Sequence, residues 1–287
     1  MNDDLAAITQ FEAAPLDLPA GLELEWLGVS GYRMAYEGST VFIDPYVSRA
    51  PLKSLLLRRT AIHDDPLIDR YIRAPGKVEG VLIGHTHFDH AIDAPAIARR
   101  FNAKAYGSKS LQALMALHGL ADQTVVAEPK HTYQLGPFEV RFIPSRHSKL
   151  LLGKKVPFDG ELTCDHLHGL TPGAYKCGQV WGIRIEVAGA SFYHQGSADL
   201  IDEELPSEPV DFFLAGVAGR SFTKAYWKRI LPKLDPQTIV PTHYDNFFAP
   251  LGEQLKPLAK AKLDELPAEI GRVSADAKLA ALRRADL

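Results

Sequence analysis

Six consecutive residues carry the side chains best suited to chemistry in this chain. Residues 85–90 read His-Thr-His-Phe-Asp-His, which places three histidines and a carboxylate side by side. His85 and His87 can aim imidazole nitrogens at one point, while Asp89 and His90 can serve a second point nearby. A lone histidine after a strand is usually structural. Packing explains this density poorly, because every buried polar group needs a partner. The segment therefore indicates metal binding.

The elements around this segment are typical of a functional loop. Val81, Leu82 and Ile83 form an apolar run that ends at Gly84, which predicts a short buried strand directly before the histidines. Loops that follow strands commonly carry functional residues. Elsewhere the patterns predict strands at 22–27, 32–36, 40–44, 103–106, 124–126, 133–135, 138–142, 180–187, 191–194, 211–214 and 238–240, and helices at 92–101, 108–118, 221–231 and through most of the tail after 251.

The string His-x-His-x-Asp-His at residues 85–90 resembles the signature of the metallo-β-lactamase-fold hydrolases, and it is complete here. The resemblance implies an α/β protein with a four-layer αββα sandwich, in which two facing sheets are flanked by helices. The predicted order of elements suits this fold, because strands and strand–helix alternation occur once in each half. We expect residues 1–21 to form a loosely attached N-terminal extension, and residues 22–287 to form a single domain of this fold.

The resemblance also implies ligands further along the chain. His147 and His243 follow later strands and fit the two remaining histidine positions. The bridging acid of the family normally lies in a Gly-Asp-Thr-like turn. Here Ser197 follows Gly196, and Asp199 is the nearest acid, so it is the expected bridge. The implied set is His85, His87 and His147 on one metal, and Asp89, His90 and His243 on the other, with Asp199 shared.

The ligand types indicate which metals and which chemistry to expect. Nitrogen and carboxylate ligands without thiolate suit zinc, with manganese or iron as alternatives. Two adjacent divalent cations would lower the pKa of a bridging water and polarise the substrate. Asp89 would then both bind metal and orient the nucleophile. Asp44 is expected just outside the ligands, where it would orient an imidazole. His194 either lies in that outer layer facing the substrate or is a buried histidine satisfied by the backbone.

A Gly-containing stretch over residues 153–178 has no clear periodicity. It contains Cys164, His166, His168 and Cys177, whose spacing matches no reliable zinc pattern. We expect this stretch to be a loop that leans over the cleft and shapes the substrate pocket, with an additional metal site as the minor alternative. The two cysteines are expected to be free thiols rather than a disulfide.

Composition limits the classes of partner. The chain has 287 residues, 46% hydrophobic and 23% charged, with a net charge of -3. Lysine and arginine are scattered, which argues against nucleic-acid binding. No apolar run approaches the roughly 20 residues that span a bilayer. The acidic start lacks the order of a signal peptide, so a cytoplasmic protein is expected.

These observations predict a dinuclear metal-dependent hydrolase that acts on a small molecule. The Pro-Thr-His-Tyr-Asp ending at residues 241–245 is similar to a branch with ascorbate-phosphate lactonase-like and phospholipase-D-like members. That resemblance implies a phosphodiester or a lactone substrate. The alternative is a non-hydrolytic regulatory or redox module that binds metal. The presence of candidates for all seven ligands favours the hydrolase. A homo-oligomer is compatible with the sequence.

Overall fold

The computed structural model describes residues 3–150, 153–259 and 261–285. Within these residues the first half of the chain forms a six-stranded sheet, with its strands in sequence order. The first three strands pair antiparallel, and the third to sixth pair parallel. The strands are β1 (Glu23–Gly28), β2 (Gly31–Tyr36), β3 (Ser39–Ile43), β4 (Lys77–Leu82), β5 (Ala105–Gly107) and β6 (Thr124–Val126).

The second half forms a sheet of eight strands among the described residues. They are β7 (Thr132–Leu135), β8 (Phe138–Arg146), β9 (Val180–Val187), β10 (Ala190–Gln195), β11 (Asp199–Leu200), β12 (Phe212–Gly216), β13 (Thr238–Thr242) and β14 (Lys278–Leu279). Their order is β11-β8-β9-β10-β12-β13-β14, and β7 also pairs with β8. Strands β10, β12 and β13 are mutually parallel, so their carboxyl ends lie at one edge.

Helices lie outside both sheets. The first half contains α2 (Leu52–Leu56), α3 (Asp65–Tyr71), α4 (Phe88–Ala91), α5 (Ala94–Phe101) and α6 (Lys109–Leu117), and the second sheet is covered by α1 (Asp3–Ala13), α7 (Tyr226–Leu234) and α8 (Leu266–Gly271). The predicted α/β class and four-layer αββα sandwich are therefore confirmed.

Strand β3 shows why the central strands are apolar throughout. Val41 and Ile43 lie in the core shared by the two sheets, whereas Phe42 between them packs in the core under the helices of the first half. Neighbouring residues of a strand point to opposite faces of the sheet. A strand covered on both faces therefore needs an apolar run, and residues 81–83 at the end of β4 form such a run in the sequence.

The N-terminal segment is not loosely attached, so that part of the prediction is wrong. Helix α1 begins at Asp3, and its Ala7, Ile8 and Phe11 are buried in the hydrophobic cluster that also contains Leu263 and Ala281. Their spacing places them on one face of a helix. The carbonyl of Phe11 also accepts a hydrogen bond from the Ala281 amide at 2.9 Å. The segment thus closes the outer face of the second half.

The predicted helical tail is also wrong. After residue 251 the described residues contain only α8 and a 3₁₀ turn at Leu263–Glu265 in helical conformation. Pro250 and Pro257 restrict the backbone and remove donors, which opposes a helix there. Residues 278–279 instead extend the second sheet as β14, with the Lys278 amide bonded to the Gln237 carbonyl at 2.9 Å. Helix α7 starts at Tyr226, five residues later than predicted.

Candidate metal centre

The candidate ligands lie where strands end. Asp44 directly follows β3, His85 comes three residues after the end of β4, and these two strands are parallel. His147 follows β8, and His243 follows β13 in the facing sheet. Strand β8 runs in the same direction as β13, because two antiparallel pairings separate it from β10. The fold thus collects residues that are far apart in sequence at one edge of the sandwich.

Three histidines converge on one point. The ligand atoms of His85, His87 and His147, which we call the three-histidine group, all lie within 4.8 Å of one another. His85 Nε2 is 3.1 Å from His87 Nδ1. The Nε2–H of His87 donates to the Pro157 carbonyl at 2.8 Å, and the Nδ1–H of His147 donates to the Ser148 carbonyl at 2.7 Å. These bonds leave the opposite nitrogen of each ring with a free lone pair for a metal.

The second cluster contains a carboxylate. The ligand atoms of Asp89, His90 and His243, which we call the mixed group, also lie within 4.8 Å of one another. Asp89 Oδ2 is 3.3 Å from His243 Nε2 and 3.8 Å from His90 Nε2. The Nδ1–H of His90 donates to Asp44 Oδ2 at 2.7 Å. His90 Nε2 is completely buried and has no hydrogen-bond partner among the described residues. A buried orphan nitrogen of this kind fits a metal ligand.

Asp44 holds the mixed group from outside. Its Oδ1 accepts a hydrogen bond from the Gly84 amide at 2.6 Å, while its Oδ2 accepts from His90. Its ligand atom also lies within 4.8 Å of those of His85 and His90. Both carboxylate oxygens are nevertheless engaged by protein donors, so this geometry suits orientation of His90 better than coordination. The residue has a φ of 41°, a left-handed backbone that aspartate tolerates.

Electrostatics differ between the two groups. Burial lowers the pKa of His87 to about 4 and that of His147 to about 3, and it holds the pKa of His85 well below its usual value. These rings are therefore neutral, as metal ligands must be. In the mixed group burial is outweighed by charge. Asp44 and Asp89 raise the pKa of His90, and His90 and His243 lower the pKa of Asp89.

The structure does not bring Asp199 to these groups. Asp199 belongs to none of the metal-suitable clusters among the described residues. Its Oδ1 forms an ion pair of 3.0 Å with Arg229 of α7, because pairing of β11 with β8 directs this part of the turn toward that helix. The expected bridge therefore disagrees with the geometry. Ser197, which follows the turn glycine, accepts a hydrogen bond from the Ser148 amide at 3.0 Å.

His194 is completely buried, so it does not face a substrate. Its Nε2–H donates to the Ser30 carbonyl at 2.9 Å, and the same nitrogen lies 3.9 Å from Asp44 Oδ2. The backbone therefore satisfies Nε2, as one alternative predicted, whereas the buried Nδ1 has no hydrogen-bond partner among the described residues. His194 packs behind Asp44, where it contributes to the outer layer around the centre.

Sequence reasoning missed two supports of the site. The first is the stretch 153–178, which docks on the motif through backbone carbonyls: Pro157 accepts from His87, and Cys177 accepts from the Thr86 amide at 2.9 Å. Carbonyl acceptors leave no signature in residue types, because every residue has one. The docking agrees with the prediction that this stretch leans over the cleft.

The second missed support lies under His243. Asp245 forms a buried ion pair of 2.9 Å with Arg49 and accepts a hydrogen bond from the Val29 amide at 2.8 Å. The Val29 carbonyl in turn accepts from the His243 amide at 2.8 Å. This network fixes the chain where His243 takes a φ of 59°. The sequence signal for this support was Asp245, two residues after His243. Its partner Arg49 is too distant in sequence to be recognised as such.

The stretch itself holds no metal-suitable cluster among the described residues. Cys164 Sγ contacts the His166 carbonyl at 3.2 Å, and the His166 ring pairs with Asp165. Both Cys164 and Cys177 are free thiols, as expected. Burial raises the pKa of Cys177 to about 12, so it remains protonated.

Comparison with known proteins agrees with this geometry. Residues 23–243 match the beta-lactamase superfamily domain. The chain belongs to the metallo-β-lactamase superfamily. A UPF0173 metal-dependent hydrolase of Polynucleobacter asymbioticus is 27% identical over 259 residues, which cover 86% of this chain and 79% of that protein. The prediction of a metal-dependent hydrolase of this superfamily is confirmed.

Two solved structures share the fold. Igni18, a metallo hydrolase from Ignicoccus hospitalis, superposes with a TM-score of 0.56 at 19% identity, covering 91% of this chain and 95% of that one. CmlA, a diiron beta-hydroxylase from Streptomyces venezuelae, gives a TM-score of 0.54 at 14% identity and covers 93% of this chain but 53% of that one. Among the residues described here, no helix has the length and apolar character needed to cross a membrane.

Proposed function

We propose that this hydrolase is dinuclear and cleaves a small phosphodiester or lactone. The observation that carries the proposal is the adjacency of two complete ligand groups. The rings of His85, from the three-histidine group, and His90, from the mixed group, have centroids 3.8 Å apart. Each group contains three candidate ligand atoms. The buried His90 Nε2 has no hydrogen-bond partner among the described residues, which fits a nitrogen that binds a metal.

The donor set suits two divalent cations, with zinc first and manganese or iron as alternatives. His85, His87 and His147 would hold one ion, and Asp89, His90 and His243 the other. When bound, such a pair supplies water activation near neutral pH and polarisation of the substrate oxygen. Asp199 lies with neither group, so the two groups have no shared carboxylate among the described residues. The two ions would therefore be held independently.

The chain's own residues prepare this chemistry. Asp89 remains ionised because its neighbours His90 and His243 outweigh burial and lower its pKa. Its Oδ2 lies in hydrogen-bonding range of His243 and between the two histidines of its group. We assign Asp89 the catalytic role of orienting the attacking water. The Asp44 carboxylate and the Pro157 carbonyl fix the rings of His90 and His87, which keeps the ligand nitrogens in place.

We also propose a substrate class, a cellular location and an oligomeric state for this protein. A net charge of -3, with lysine and arginine scattered along the sequence, fits a small-molecule substrate better than a nucleic acid. We propose a cytoplasmic location, because Cys164 and Cys177 are free thiols and disulfides are rare in that compartment. A homo-oligomer is compatible with this function.

A second function has one specific observation in its favour. CmlA, which shares the fold, is named a diiron beta-hydroxylase. The fold thus accommodates metal chemistry that is not hydrolytic, which is the regulatory or redox alternative. Fold alone does not determine chemistry, and the relatives with higher sequence identity are named hydrolases.

Metal analysis combined with an activity panel tests the proposal. Purified protein is expected to hold two divalent ions per chain and to hydrolyse p-nitrophenyl phosphodiesters or members of a lactone panel. His87→Ala should lose activity and one ion, because it removes a ligand of the three-histidine group. His131→Ala is the matched control, since His131 is exposed and lies outside both groups.

Three outcomes would contradict the proposal. One ion per chain at saturation would refute the dinuclear centre. Metal-loaded protein that hydrolyses nothing in the panel would favour the non-hydrolytic alternative. Unchanged activity in His87→Ala would show that the three-histidine group does not take part in the reaction.

A further inference from the structure

A cavity of about 490 Å³ opens beside the three-histidine group. His147 lies in its wall, together with residues from several separate parts of the chain. These parts include the end of β8, the stretch 153–178 and the segment 222–224 just before α7, and Asp199 of β11 and Arg229 of α7 also line the wall. The volume is in the range of pockets for small ligands. The cavity is therefore suited to receive the part of a substrate that extends beyond the metal ions.

The wall carries uncompensated positive charge. Arg146, Lys149 and Lys224 line the cavity and are exposed, and none of them has an acidic partner within ion-pair distance among the described residues. The two lining carboxylates compensate little of this charge. Asp199 is already paired with Arg229, which also lines the wall. Among the described residues, three cations without an acidic partner thus share the cavity with one carboxylate that has no basic partner, Asp159.

An apolar surface faces the same space. Phe222 lines the cavity and is 45% exposed, which makes it one of the few large apolar side chains of the described residues left open to solvent. It directly precedes Thr223 and Lys224, both of which also lie in the wall. A cation beside an exposed aromatic ring suits a ligand whose anionic group is attached to a flat or apolar part.

We propose that this cavity binds an anionic group of the substrate, a phosphate or a carboxylate, that is separate from the bond being hydrolysed. This inference rests on the proposed function, since it places the scissile group at the metal ions and the second group near Lys149 and Lys224. It narrows the substrate class to phosphodiesters or lactones that carry an additional negative charge. It also gives the stretch 153–178 a role, because Gly153, Val156 and Asp159 form part of the same wall.

Binding can be tested without turnover. ¹H–¹⁵N NMR spectra of zinc-loaded protein are recorded during titration with inorganic phosphate and, separately, with acetate. Both the motif amides at 85–90 and the wall amides at 145–149 and 222–224 should shift in the wild type. In the Lys149→Met/Lys224→Met variant, the anion affinity obtained from the shifts of the wall amides should fall about five- to tenfold at low salt. Two exposed contacts of modest strength are lost in this variant. The anion that binds more tightly identifies the group.

The control is Lys228→Met, which removes an exposed lysine that does not line the cavity. It should leave the wall shifts unchanged. Shifts confined to 85–90 in the wild type, or equal affinity in the double variant, would overturn the inference. If the double variant is unfolded by its spectrum, each single substitution is titrated instead, and the same criterion applies. High salt should also weaken wall binding, since the cations are exposed.

Kinetics separate this inference from the proposed function. With an active substrate that carries an extra anionic group, the double variant should show a KM raised about five- to tenfold and a nearly unchanged kcat. A neutral lactone should show no such change. Protein that hydrolyses nothing but still shows the wall shifts would refute the hydrolase and retain the anion site, whereas an active enzyme with equal KM values for both substrate types would refute the anion site alone.

Discussion

The three-histidine group and the mixed group contain the same number of candidate ligands but differ in their electrostatics. His85, His87 and His147 are kept neutral by burial, and the visible partners of His87 and His147 are backbone carbonyls. The mixed group holds the anionic Asp89, and its His90 is oriented by a second carboxylate, Asp44. One group therefore relies on preformed lone pairs, while the other relies on negative charge.

This difference indicates how each group would hold a cation. Neutral imidazoles fixed by carbonyls need little rearrangement to bind a metal, because their free nitrogens already converge. The mixed group gains more from charge, since two carboxylates lie close to one position in a buried environment. Changes to carboxylates should consequently affect the mixed group and leave the three-histidine group able to bind its ion. The predictions below test this separation in order of decreasing effect.

Asp89→Asn should cause the largest loss. The substitution keeps the shape of the side chain but removes the negative charge on which the mixed group relies. We expect activity to fall about a thousandfold, which corresponds to several kcal/mol of transition-state stabilisation. Metal content should fall from two ions to one. Retention of both ions with full activity would show that charge at Asp89 is irrelevant and that the two groups do not differ in this way.

Asp44→Asn should have an intermediate effect that is confined to the mixed group. Asparagine tolerates the left-handed backbone at this position and can still accept from the Gly84 amide. Its amide NH2 would then face the Nδ1–H of His90 and cannot accept from it, so we expect metal affinity at the mixed group to fall about 10- to 100-fold. Titration calorimetry with zinc measures both binding events. Weaker binding of both zinc ions in Asp44→Asn would show that this carboxylate does not act on the mixed group alone.

Ser197→Asp should increase the affinity for the more weakly bound zinc ion. The turn at 196–197 runs between the groups: an added Cβ on Gly196 would lie 3.2 Å from His90 Cε1, and Ser197 Oγ contacts Ser148 next to His147. A carboxylate there would add charge between the two ions, and we expect the weaker zinc affinity to rise about tenfold. Ser197→Ala is the control and should give no gain. Equal results for the two variants would show that position 197 cannot reach the ions.

The sequence was informative where a residue type itself carries the function. The motif at 85–90 could be found because its residue types are chemically specific, and the family resemblance that it carries then indicated His147 and His243 after later strands. The placement of Asp199 could not be foreseen, since it depends on pairing of β11 with β8 and on the distant Arg229. The strands that form the core of the sandwich were predicted from their apolar runs. The attachment of α1 was not, because a short amphipathic helix looks alike whether or not a surface is available to bury it.

Asp199→Asn should have the smallest effect and tests the absence of a shared carboxylate directly. Its side chain is 17% exposed and its partner Arg229 is 26% exposed, and Arg229 retains Asp202 as a second partner. Loss of one partly exposed ion pair should lower the free energy of unfolding by at most about 1 kcal/mol, or Tm by about 2 °C. Zinc content and both affinities should stay as in the wild type. Loss of the weaker zinc ion in Asp199→Asn would place this carboxylate between the two groups after all, and the groups would then share a ligand instead of binding independently.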